Sequence, residues 1–283
     1  YPSNFTIYDT QDSVRLLSAI IKEMQLDKDI YKPKQVLGRI SSYKNSLITV
    51  KAYFNNPELQ EADAMSKKPR LGEIYQNYVE RCFKAGAMDF DDLLLKTNEL
   101  LNRFPDVLAK YQDRFRYILV DEYQDTNAAQ YKLVKLLTNK NKNIAVVGDD
   151  WQSIYSWRGA DFRNILKFEG DHKDVTVIKL EQNYRSTKAI LDAAHAVITK
   201  NLQRSDKKLW TEAGNGLPVQ ILQTQSERAE GEAIIRRIQT SIDMGSRRYN
   251  DFAVLYRTNA QSRSIEEMFV RYGIPYRVVG GVR

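Results

Sequence analysis

The sequence predicts an α/β fold with mostly parallel sheets, preceded by a stretch that reads almost wholly as helix. Three observations carry this. From residue 117 onward, short apolar runs alternate with amphipathic segments, the pattern of buried strands linked by helices. Residues 1–86 place their apolar side chains at helical spacing instead. Polar clusters follow three of the apolar runs, after Val120, Val147 and Leu180. Open α/β sheets bind ligands there, beyond the carboxyl ends of their strands.

Taken in order, residues 9–24 open with Asp and Thr as capping candidates, then set Val14, Leu17, Ile20 and Ile21 on one face. A second helix is predicted over 33–45. A longer one covers 71–84, with Ile74, Tyr78 and Cys82 four apart. Residues 54–70 are polar and irregular, a loop or short helices. The texture changes at Asp89. Helices over 91–103 and 105–111 lead into a strand at 117–120, followed by helix 127–138, strand 144–147, a short helical stretch near 151–157, helix 161–168 and strand 175–180. After a break near 180–183 the reading is helix 185–199, strand 218–223, helix 226–243, strand 252–256, helix 260–271 and strand 275–279. There are no internal repeats.

Composition narrows the function classes. Of 283 residues, 42% are hydrophobic and 28% charged, too apolar for a disordered chain. No apolar run approaches the ~20 residues of a membrane span, and no signal-peptide pattern opens the sequence. A single cysteine, Cys82, excludes an internal disulfide and points to a reducing compartment. Two histidines, His172 and His195, are too few for a zinc finger or a multi-histidine metal site. The expectation is a soluble intracellular protein without membrane contact. Net charge is +7, unevenly spread: 13 Lys/Arg against 10 Asp/Glu in 1–86, 14 against 15 in 87–180, and 16 against 11 in 181–283. Basic flanks around an acid-rich centre suit a polyanion partner and carboxylate chemistry. A mildly basic solvated surface would give the same totals.

Three clusters carry chemistry. In Asp121-Glu122-Tyr123-Gln124-Asp125, adjacent acids end an apolar strand, as in nucleotide hydrolases, where one serves Mg²⁺ and the next the attacking water. Acids complementing a helix dipole, with Asp125, Thr126 and Asn127 as caps, would look the same. Residues 148–160, GDDWQSIYSWRGA, combine an amide suited to a phosphate or its water (Gln152) with stacking faces (Tyr155, Trp157) and a cation (Arg158). Trp157 could equally be a packing aromatic. In Leu180-Glu181-Gln182-Asn183-Tyr184-Arg185-Ser186, Arg185 falls at the first turn of the predicted helix, where the dipole disfavours a cation. A phosphate opposite it would explain the choice, as would a surface ion pair. Tyr184 could stack on a nucleobase. Asp89, Asp91 and Asp92 read first as an acidic helix start and second as a metal site. Arg257 and Asn259 follow an apolar run in a phosphate-friendly setting. A phosphate-cradling loop with two glycines five apart and a following lysine is absent, although the sequence has 13 glycines. Gly214 and Gly216 have Val219 where a dinucleotide fingerprint needs its third glycine.

As an ordered set these motifs resemble the superfamily-one DNA helicases of the UvrD/PcrA/Rep type. DEYQD at 121–125 is similar to their second motif, GDDWQSIYSWRGA to the third and LEQNYRS at 180–186 to the fourth; FAVLYRTNAQSR at 252–263 and GIPYRVVGG at 273–281 resemble the segments that follow. The resemblance implies two partial RecA-like parallel-sheet motor domains plus an all-helical inserted subdomain. Residues 1–86 would be that subdomain, 87–180 the C-terminal part of the first motor domain and 181–283 the N-terminal part of the second. It implies ATP and Mg²⁺, with Asp121 serving the metal, Glu122 as base, Gln152 sensing the γ-phosphate, Tyr184 packing on adenine and Arg185 as arginine finger. Tyr155, Trp157, Arg158, Arg257 and Asn259 would meet single-stranded or partly duplex DNA. Trp151 departs from the acidic residue usual before the glutamine. The implied parent is a 3′-to-5′ translocating helicase of the bacterial cytoplasm or nucleoid, working among repair proteins. Its P-loop would precede Tyr1 and its remaining motor sequence would follow Arg283, making this chain an inactive internal fragment. Alternatives are the helicase subunit of a recombination helicase–nuclease, a non-catalytic DNA-binding module, and a metal nuclease using Asp89, Asp91, Asp92 and Asp121.

Overall fold

The computed structural model describes residues 1–156 and 159–279. They form two compact units: Tyr1–Gln182 with Ala196–Leu209, and Asn183–His195 with Trp210–Arg283.

The first unit opens with a strand that periodicity does not reveal. β1 (Thr6–Tyr8) pairs in parallel with β2 (Ala87–Asp89), Thr6 opposite Ala87. Residues 1–86 are therefore not all helix. Three-residue strands are too short to show an alternating pattern, and β2 is buried throughout. Between them lie α1 (Thr10–Glu23), α2 (Pro33–Asn45), α3 (Val50–Phe54), α4 (Pro57–Met65) and α5 (Leu71–Lys84). Asp9 caps α1 through a reciprocal box with Asp12, and Pro33 opens α2, where a missing N–H costs nothing. The apolar face of α1 (Leu17, Ile20, Ile21) meets Val36 and Ile40 of α2 and Ile74 and Tyr78 of α5 in a fully buried core. Cys82 lies in it, and burial pushes its thiol up to about 11.

Two polar networks cross this core. Asp63 accepts from Arg39 Nε at 3.0 Å, from Tyr53 Oη at 2.9 Å and from Tyr43 Oη. Lys44, wholly buried, pairs with Asp89 at 2.7 Å and Asp92 at 2.9 Å. Those two aspartates also cap α6 (Phe90–Arg103) through a second reciprocal box. Burial opposes each charge, but the two carboxylates keep the Lys44 proton on and the ammonium holds Asp89 below its ordinary value; Asp92 is pushed up by burial. Asp89 and Asp92 thus start a helix and neutralise a lysine. Asp91 accepts from Asn45 Nδ2 at 2.9 Å instead.

After α7 (Pro105–Arg114) come β3 (Ile118–Val120), α8 (Ala128–Thr138) and β4 (Ile144–Val146), with β3 and β4 parallel and Ile118 opposite Ile144. The helix expected over 161–168 is broken at Lys167 into α9 (Arg163–Leu166) and α10 (Phe168–Asp171). The stretch expected to be helical near 151–157 has a 3₁₀ turn at Asp150–Gln152, and its last residue, Trp157, lies outside the described residues.

In the second unit, α12 (Glu227–Asp243) and α13 (Asn259–Arg271) pack through Ile235, Ile238, Ile265, Met268 and Phe269. The preceding helix, α11 (Lys188–Ile198), runs from this unit into the first. The strands expected at 175–180, 218–223, 252–256 and 275–279 form no ladder among the described residues. An apolar run becomes a strand only when a neighbour accepts and donates its backbone hydrogen bonds. Without one, Ile178, Leu180, Ile221 and Leu255 lie exposed. Among the described residues no helix is long and apolar enough to cross a membrane.

Candidate active site

Because β3 and β4 are parallel neighbours, their carboxyl ends emerge side by side. The ladder runs on past both strands, with Val147 N–H on Val120 O at 2.8 Å and Tyr123 N–H on Val147 O at 3.0 Å. Asp121-Glu122 is thereby set against Gly148-Asp149. The turn is sharp: Glu122 has φ of +50°, left-handed backbone that costs a side-chain-bearing residue about 1 kcal/mol or more. That reversal starts a 3₁₀ turn, Tyr123–Asp125, and sends Gln124 inward to 1% exposure.

Gln124 joins the two loops. Its Nε2 donates to Glu122 Oε2 at 2.7 Å, and its Oε1 accepts from Asp149 N–H at 2.9 Å. Asp149 Oδ2 in turn accepts from Gln152 Nε2 at 2.8 Å. A continuous polar relay, Glu122–Gln124–Asp149–Gln152, therefore links the acid pair to the glutamine of the next loop. Glycine at 148 is what permits it, since a Cβ there would stand 2.6 Å from Gln124 Oε1 and 2.8 Å from Ile165 Cδ1.

Asp121 Oδ1 accepts from Glu122 N–H at 2.9 Å. Both acids line an open cleft of about 390 Å³ with Val120, Asp125, Thr126 and Gln130. Asn127, not Asp125, caps α8, in a reciprocal box with Gln130. Asp125 Oδ1 is buried without a hydrogen-bond partner, and burial together with the nearby Glu122 charge pushes its carboxyl up.

A basic segment far along the sequence completes the second loop. Lys207 Nζ contacts Asp149 Oδ1 and lies 3.6 Å from Asp150 Oδ1, and Ser205 N–H donates to Asp150 Oδ2 at 2.6 Å. Burial works to raise the Asp149 carboxyl, but hydrogen bonds from Lys207, Gln152 and the Trp151 amide outweigh it and hold the group below the usual range. Neither Lys207 nor Gln124 stands out in the sequence. Gln124 sits inside a quoted motif without an obvious partner. The signal for Lys207 is indirect, since two adjacent, partly buried acids require a cation.

Tyr155 follows the 3₁₀ turn and is 37% exposed. Trp157 and Arg158 lie outside the described residues. In the second unit, Tyr184 and Arg185 sit on a turn organised by Asn183, whose Oδ1 accepts from the amides of Arg185 at 3.0 Å and Ser186 at 2.7 Å. Arg185 thus precedes the helix and does not occupy its first turn. α11 begins at Lys188, where the amides of Lys188 and Ala189 donate to the Gly214 and Asn215 carbonyls. Gly216, at φ +68°, lets that loop approach, since a Cβ would fall 2.3 Å from Thr187 Oγ1. Arg257 and Asn259 are exposed at the start of α13, with Gln261 Oε1 accepting from the amides of Arg257 and Thr258 at 2.9 Å.

Comparison with known proteins agrees along the whole chain. The chain belongs to the UvrD/REP helicase family: the family model for the UvrD/REP helicase N-terminal domain matches residues 1–173, and that for the UvrD-like helicase C-terminal domain matches 178–283. Its relatives include proteins named ATP-dependent DNA helicase PcrA. That of Leuconostoc citreum is 46% identical over 278 residues, 98% of this chain and 36% of the relative. That of Bacillus subtilis is 45% identical over 286 residues, 99% of this chain and 37% of the relative. That of Staphylococcus aureus is 46% identical over 278 residues. The chain thus spans little more than a third of the length of these curated relatives.

Proposed function

We propose that the protein containing this chain is an ATP-dependent DNA helicase that turns ATP hydrolysis into movement along single-stranded DNA, 3′ to 5′, and separates partly duplex DNA ahead of it. The observation that carries this reading is the relay from Glu122 through Gln124 and Asp149 to Gln152. In it Glu122 orients and deprotonates the attacking water, and Gln152 reads the γ-phosphate from the neighbouring loop. A hydrogen-bonded path between them makes the presence of the phosphate felt at the base.

The cleft fits Mg²⁺. Magnesium takes hard oxygen donors, keeps several of its waters and needs only one or two carboxylates beside the nucleotide's phosphates. Asp121 supplies such a carboxylate, and the unpartnered Asp125 oxygen lies in the same acidic setting. When bound, the ion would offset charge on the β- and γ-phosphate oxygens. Arg185 serves as an arginine finger and Tyr184 packs on the adenine. Tyr155, Trp157, Arg158, Arg257 and Asn259 contact DNA by stacking, charge and, for Asn259, hydrogen bonding. In this reading residues 1–86 are a helix-rich insertion, 87–180 complete the first RecA-like motor domain, and 181–283 begin the second. Sequence elsewhere in the parent supplies the P-loop and strands to pair with the exposed apolar runs.

The test is ATP hydrolysis by the full-length parent, with and without single-stranded DNA. Strong stimulation by DNA is expected. DNA binding without turnover would replace this reading with a non-catalytic binding module.

A further inference from the structure

Asp149 and Asp150 are adjacent acids, with side chains 25% and 5% exposed. Like charges so placed repel and lose hydration unless a cation and donors meet them. The segment that meets them, Ala196–Leu209, belongs to the first unit, although the chain on either side of it belongs to the second. Lys207 addresses both carboxylates. Ser205 gives Asp150 its amide at 2.6 Å and its hydroxyl at 2.5 Å. Between the two acids and Gln152 stands Trp151. Its Nε1 donates to Ser205 O at 3.2 Å, and Lys207 Nζ lies 4.7 Å from its ring centroid. A neutral π face at this position attracts the ammonium without adding a third carboxylate. The strap is also held from its other side, by Lys179 Nζ on Asp206 O at 2.8 Å and Lys208 N–H on Glu181 Oε1 at 2.9 Å.

We propose that Ser205–Lys207 is a latch that fixes the Gln152 carboxamide, with Lys207 a positioning residue for ATP hydrolysis acting through Asp149. The inference rests on the role of Gln152 proposed above. Asp149 has one oxygen on Lys207 and the other on Gln152, so the cation sets where the amide points. Trp151 adds to the latch a contact that an acid there would not supply.

The test uses the full-length parent in two arms. In hydrogen exchange, Lys207→Met should speed exchange at residues 149–153 and 204–208 and leave α1 and α2 unchanged; unchanged exchange at the loop overturns the latch. In DNA-stimulated ATP hydrolysis, Lys207→Met should lower kcat about tenfold, the scale of one lost charge-assisted hydrogen bond, with KM for ATP within about twofold. Lys207→Arg should recover most of the loss. In the background of Gln152→Ala, Lys207→Met should change kcat by no more than about twofold, because coupled residues do not add. A full additional tenfold loss in that background overturns the proposed route through Gln152. A wild-type parent without turnover overturns the helicase reading instead, and the exchange arm still decides the latch.

Discussion

Glu122, the proposed base, also carries backbone strain. Its left-handed φ is the conformation that turns the acid pair away from β3 and lets Gln124 reach back to it. In the parent, Glu122→Gln keeps the size and turn of the side chain while removing the base, and should lower DNA-stimulated kcat by about 10²- to 10⁴-fold with ATP affinity retained. Parallel loss of ATP binding would make the residue structural. Arg185→Ala should cost about 10³-fold or more in turnover if it is the finger, and a change within about twofold would reassign it. At this scale the sequence was informative wherever a side chain's position depends on its place after an apolar run. That Asp121, Glu122 and Gln152 come together at neighbouring strand ends was legible for that reason. Lys207 was not, because it closes a contact across 58 positions and no local pattern marks it as the cation for Asp149.

Among elements, helices were read far better than strands. A helix carries its own hydrogen bonds and its own caps, so Asp9 or Pro33 marks a start by itself. β1 and β2 are strands only because Thr6 meets Ala87, and the apolar runs at 218–223 and 252–256 lack such a partner among the described residues. Two tests belong to this level. Gly148→Ala would press a methyl against Gln124 and Ile165, breaking the relay between the strand ends; kcat should fall about tenfold or more with DNA affinity unchanged. Lys44→Met would leave Asp89 and Asp92 facing one another in the core, and should destabilise the packing of α2 on α6 by about 3–5 kcal/mol, read as faster amide exchange in both helices. The pH dependence follows from the signs. Asp89 is held below its ordinary value when folded, so its contribution is complete above the carboxylate range and is lost as pH falls through the lowered value. Lys44 is raised, so its contribution persists through neutral pH and is lost only in strong alkali. Exchange protection of α6 should therefore be flat around neutrality and fall in acid.

For the whole molecule, a family assignment and an activity are different claims. The two family models match residues 1–173 and 178–283, yet the sequence contains no phosphate-cradling glycine loop. The chain alone should turn over no ATP, as measured on clean protein with single-stranded DNA present. Turnover abolished by Glu122→Gln would overturn that expectation.

The path of the chain through its two units also limits how it can be divided. It leaves the first unit after Gln182, returns for Ala196–Leu209, and leaves again. A single protease nick in either connection would not release an intact half. Truncation after Gln182, the natural place to divide the sequence, would yield a first half stripped of Ser205 and Lys207. Such a piece would keep Asp121, Glu122 and Gln152 and still present Asp149 and Asp150 unneutralised to water.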